Sequence, residues 1–132
     1  MRSVLLLSVC FLLLAGCAKK LKPTDRTDIT GKWRLTEQYV SIGGPGSWQP
    51  FVSLLPVIVE FHANGEFTYS IGFPKASLQL NRYSFAGNSL SMSSTLNTNT
   101  DTWPVHSLAD NKLEISVYTC FEGCAYRFTS VE

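Results

Sequence analysis

The stretch VIVEFHANGEFTYSI, Val57 to Ile71, decides the fold. Two short runs of strand-forming residues, Val57–His62 and Glu66–Ile71, meet across Ala63-Asn64-Gly65. Asn-Gly between alternating runs is the strongest short-range signal for a β-hairpin, because both residues tolerate the left-handed backbone that a tight reversal needs. Pairing the runs turns Phe61, Phe67 and Tyr69 inward and leaves Glu60 facing solvent between Val59 and Phe61.

The same rhythm continues on both sides. Upstream, Gly31 to Val40 alternates, with Trp33, Leu35 and Tyr39 on one face and Lys32, Arg34, Thr36 and Gln38 on the other. Glu37 breaks the pattern, a carboxylate on the apolar face. A loop rich in breakers follows: Gly43, Gly44, Pro45, Gly46, Pro50 and Pro56. Downstream, one run ends at Tyr83-Ser84-Phe85 and joins Ser89–Met92 through Gly87-Asn88. The polar stretch Ser93–Thr102 reads as a loop or an edge strand. Trp103–Leu108 then turns through Ala109-Asp110-Asn111 into Leu113–Tyr118, and Ala125–Val131 is the last run.

No window after Asp28 repeats with helical period. Eight short strands linked in sequence order predict an all-β domain, an eight-stranded antiparallel up-and-down barrel, since closure removes both exposed edges. A two-sheet sandwich is the competing architecture.

The N-terminus carries an address. Met1-Arg2, an apolar run from Val4 to Leu14, and Ala15-Gly16 have the order of an export signal. As a helix the run is about 16 Å long, too short for a hydrocarbon core of roughly 30 Å. Leu14-Ala15-Gly16-Cys17 resembles the lipobox of bacterial lipoproteins. That resemblance implies cleavage after residue 16 and lipidation of Cys17, with two or three acyl chains holding the protein to a membrane. The alternative is an ordinary secretory signal with an incidental cysteine. Residues 17–28 then form a polar tether and 29–132 one domain, large enough for a single core. Ala18 rather than Asp after the cysteine points to the outer membrane, and Lys19, Lys20 and Lys22 favour its periplasmic face.

Within 29–132 there are six basic and eight acidic residues. No basic patch is interleaved with aromatic residues, which argues against nucleic acid as a partner. Cys120 and Cys124 have three residues between them, and in an oxidising compartment they read as a disulfide pinning one turn. A redox pair, metal ligation or free thiols are the alternatives. Redox motifs more often have two intervening residues at a helix N-terminus, which this segment lacks.

Gly31-Lys32-Trp33, the loop Gly43–Pro50, the hairpin Phe61–Phe67 and Cys120-Phe121-Glu122-Gly123-Cys124 together resemble the lipocalin-like domains of bacterial lipoproteins. The resemblance implies that Trp33 closes one end of the barrel with Arg127 of the last strand across its ring. The chain is shorter than secreted animal lipocalins and shows no C-terminal helix pattern.

The catalytic inventory is thin. His62 and His106 belong to no spaced metal motif, there is no Gly-x-Ser-x-Gly elbow, and nothing in the sequence brings Glu37 and Glu60 together. An enzyme and a cofactor are therefore not expected. Two functions from different classes stand. In one, the barrel binds a small apolar or amphipathic molecule, with Tyr39, Phe67, Tyr69, Phe85, Met92 and Ile115 as wall. Trp48 and Phe51 then belong to a lid that also carries Leu54-Leu55, unless they fold back as extra core. In the other, the barrel is filled by its own side chains and the protein is an interaction or envelope-accessory subunit. A cavity of at least about 300 Å³ separates the two.

Overall fold

The structure is a computed structural model that describes residues 28–118 and 124–131. The opening hairpin forms across Ala63-Asn64-Gly65, with Gly65 and not Asn64 taking the left-handed backbone. Gly65 donates its N–H to the His62 carbonyl at 3.0 Å and sits at φ +80°, where a side chain would be strained. Asn64 Oδ1 accepts from Glu66 N at 3.0 Å, fixing the turn from within.

Nine strands are present among the described residues: β1 Gly31–Val40, β2 Ser47–Pro50, β3 Ile58–Phe61, β4 Phe67–Tyr69, β5 Arg82–Ala86, β6 Ser89–Ser93, β7 Thr100–Ala109, β8 Lys112–Val117 and β9 Cys124–Val131. All pairings are antiparallel, in the order β4-β3-β1-β9-β8-β7-β6-β5. The outermost strands of that order, β4 and β5, meet through the Glu66–Arg82 bridge, with Phe67 N to Asn81 O at 3.1 Å and Tyr83 N to Gly65 O at 2.8 Å. The eight-stranded up-and-down barrel is thereby nearly closed.

Two details differ from the sequence reading. The breaker-rich loop contains β2, which pairs with the far half of β1 in line above β3. Its four residues alternate too briefly among Gly and Pro to stand out. In the polar stretch, Thr100–Thr102 belong to β7 and pair with β6, so the connecting loop shrinks to residues 94–99. Serine and threonine tolerate a central strand when they face outward.

The inner face is apolar and the outer face polar. Trp33, Leu35, Val59, Phe61, Phe67, Leu90, Met92, Trp103, Leu113, Ile115 and Phe128 are all buried. That is the opposite of a lipid-facing barrel, whose apolar side chains point outward. No helix among the described residues is long and apolar enough to cross a membrane. The chain enters beneath β1, where Trp33 Nε1 donates to the Ile29 carbonyl at 2.8 Å and both residues are fully buried. The turns 62–66, 87–88 and 110–111 share this closed end. The loops 41–46, 70–81 and 94–99, and Tyr118 after β8, form the opposite rim.

Candidate functional site

Strand alternation and one bulge decide where the expected site residues fall. Leu35 faces Phe128 and Glu37 faces Arg127, so Thr36 is an extra residue in β1. An extra residue turns everything beyond it to the other face. Glu37 therefore points outward, which resolves its anomaly in the sequence, and Tyr39 points outward with it. Tyr39 does not line the interior. It lies edge-on to Trp48 with centroids 5.6 Å apart, and Gly46 packs so closely on the Tyr39 ring that any side chain there would collide with it.

Arg127 alternates with inward Phe128 and so also faces out. Its guanidinium carbon is 3.7 Å from the centroid of Trp48, not over Trp33. The expected Trp33–Arg127 pair is thus replaced by Trp48–Arg127, because Trp33 is on the inner face and Arg127 on the outer. Arg127 Nε donates to Glu114 Oε2 at 2.8 Å, and its Nη1 reaches Glu37 Oε2 at 3.5 Å. These partners, the Glu114 hydrogen bond foremost, hold the guanidinium above its usual value and keep it charged. The cluster straps β2 onto the barrel wall.

Inside, Phe67, Met92 and Ile115 are buried among core side chains. Tyr69 and Phe85 are half-buried against that core, and Phe51 folds back onto it. The residue that fills the upper barrel is one the sequence reading did not single out. Phe73, from the loop between β4 and β5, is 4% exposed and stacks on Tyr69 at 4.9 Å. It also lies 5.6 Å from Trp103 and 6.4 Å from Phe128. Leu80 from the same loop is buried too. The signal was an apolar residue framed by Gly72 and Pro74, a pair that marks a sharp turn able to tuck a ring inward.

Comparison with family models, curated proteins and solved structures found no match to this chain.

Outside the packed interior lie open grooves. One of about 420 Å³ runs at the closed end between Phe85, Asn88, Val105, His106 and Leu108. Another of about 240 Å³ lies at the rim, lined by Gln38, Val40, Ile42, Cys124 and Tyr126. Burial pushes the Tyr126 phenol up, so it stays neutral as a rim-facing polar tip. His106 is the extra residue of a bulge in β7, and its Nε2 is 2.7 Å from Ser116 Oγ. His106 is exposed and Ser116 half-buried, and no carboxylate among the described residues orients the imidazole, so the pair lacks what a nucleophilic site needs. No group of three metal-ligating side chains converges among the described residues. His62 uses its backbone to close the hairpin and to accept from Tyr83 Oη at 2.9 Å. Glu60 pairs with Lys32 at 3.6 Å on the surface, away from Glu37. Cys124 is disulfide-bonded. Cys120 and Cys17 lie outside the described residues.

Trp48 reports on the strap, because Trp33 and Trp103 are fully buried. Replacing Arg127 by Ala is expected to make tryptophan fluorescence more accessible to acrylamide. An exposed cation–π contact with partly screened ion pairs contributes only about 1 kcal/mol, so the urea midpoint should move little. Unchanged quenching would show that Trp48 is held by other contacts.

Proposed function

We propose that this chain is a lipid-anchored, lipocalin-like lipoprotein of the cell envelope. Cys17 carries the acyl chains, and the barrel faces the periplasm from the outer membrane. Of the two functions weighed from the sequence, the geometry supports the second best. The barrel serves as a rigid, non-catalytic interaction or envelope-accessory subunit and works through its outer surface. The observation that carries this reading is Phe73, which occupies the space an internal ligand would need and touches Tyr69, Trp103 and Phe128 there. A small amphipathic ligand keeps a place only in the open grooves: the one of about 420 Å³ beside Phe85 and Val105 lies within the usual range for drug-sized molecules, and the rim groove of about 240 Å³ beside Gln38 and Tyr126 falls below it.

Mass spectrometry of the protein extracted from envelopes tests both parts. Under denaturing conditions, a chain beginning at Cys17 and heavier by a diacylglyceryl group is expected, and a Cys17→Ser variant should lack that mass. Under native conditions, the barrel should carry no second, non-covalent molecule. A copurifying small molecule would overturn the filled-barrel reading while leaving the anchor intact.

A further inference from the structure

The two ends of the barrel differ in a way the strap and the core do not use. The turns at the closed end, 62–66, 87–88 and 110–111, carry Asn, Asp, Glu, Gly and His, and none of the large exposed hydrophobics falls on them. Those residues cluster toward the rim instead. Val52, Leu54 and Leu55 stand 89%, 103% and 67% exposed on the excursion between β2 and β3, and Ile71 is 89% exposed on the neighbouring loop. The two segments are tied together, since Ser70 Oγ donates to the Pro56 carbonyl at 3.2 Å. Ile42 and Leu96 stand on the next loops round the rim, 87% and 75% exposed.

Charge follows the same division. From Ser41 to Val59 the chain has no charged residue, and neither has 94–99. The loop 70–81 contributes a single cation, Lys75. A rim of aliphatic tips with one lysine and no carboxylate among its described loops is suited to a lipid surface, which accepts scattered apolar tips and favours positive over negative charge. Protein interfaces instead enrich aromatic residues and arginine in a contiguous core, and the outward Trp48 and Arg127 are already engaged with each other.

We propose that the rim docks on the bilayer, with Val52, Leu54, Leu55 and Ile71 entering the interface. The inference rests on the lipid anchor proposed above, and the length of chain before the barrel permits it. Ten residues lie between Cys17 and Asp28, and the eleven Cα-to-Cα steps extend to roughly 36 Å, whereas a ten-residue strand tilted by about 40° rises only about 25 Å along a barrel. The described chain begins at the closed end, and the reach of the residues before it exceeds the height of the barrel, so an anchor at Cys17 is compatible with a domain lying rim-down on its own membrane. Two attachments then fix the orientation of the domain, where a single tether would leave it free to turn.

The test uses the lipidated full chain reconstituted into phosphatidylethanolamine–phosphatidylglycerol vesicles, with an environment-sensitive NBD label on Leu54→Cys or, at the closed end, on Asp110→Cys. The expected result is a blue-shifted emission at position 54, quenched by lipids brominated in their acyl chains, and neither effect at position 110. Replacing Val52, Leu55 and Ile71 by Ser, all exposed and so harmless to folding, should abolish the shift at 54. Flotation with the vesicles but no shift at 54 overturns docking and leaves the anchor standing. Failure to float overturns both. A shift at 54 that is already present without lipid overturns docking in favour of a protein contact.

Discussion

Replacing Phe73 by Ala is expected to destabilise the domain by about 3–5 kcal/mol and to open a dry void in its upper half. The ring is almost completely buried, and three of its aromatic neighbours face it from β4, β7 and β9. Those neighbours are fixed in strands and cannot collapse onto the missing volume, which places the loss toward the upper part of that range. Apolar engineered voids stay empty of water and take up benzene or xenon. The variant should therefore gain thermal stability on adding benzene, while the parent chain should not respond. A parent that responds equally already holds such a space, and the filled-barrel reading fails.

Trp103→Ala should be as damaging, again about 3–5 kcal/mol, a large part of the 5–15 kcal/mol typical of a domain. Its indole is fully buried, sits opposite Leu90 across β6, and donates to Asp101 Oδ2 at 3.0 Å. The substitution removes the ring and leaves that carboxylate without its indole donor. Phe73 and Trp103 touch, so their losses should not add. The double variant should lose less than the sum of the single ones by about 0.5–3 kcal/mol, measured from denaturation midpoints. Simple additivity would mean that Phe73 does not occupy the interior beside Trp103.

The strand order was legible because it rests on local signals. Asn64-Gly65, Gly87-Asn88 and Asp110-Asn111 each announce a reversal, and the residues between them alternate. What could not be read were single-residue insertions. The bulges at Thr36 and His106 leave no mark in composition, yet the first one moves Glu37 and Tyr39 to the outer face. The expected wall residue Tyr39 failed for that reason, since a face assignment holds only while the register does; the expected Trp33–Arg127 pair failed because Arg127 alternates with inward Phe128 and faces out, away from Trp33. Phe67, Met92 and Ile115 lay where alternation put them, on the inner face. Whether that face encloses a ligand or is filled depended on Phe73, whose position is set by a long loop rather than by strand periodicity.

The seam between β1 and β9 has a kinetic meaning. Thr36 and Arg127, which bond across it, are 91 residues apart in the chain. Joining such distant segments carries a loop-closure entropy that local hairpins avoid, and folds dominated by such pairings reach their native state in milliseconds to seconds rather than microseconds. Until the last strand arrives, one side of β1 has no partner and the Trp33 face has no cover. Under the proposed export, that delay would keep the barrel from being completed on the side of the membrane the chain is leaving.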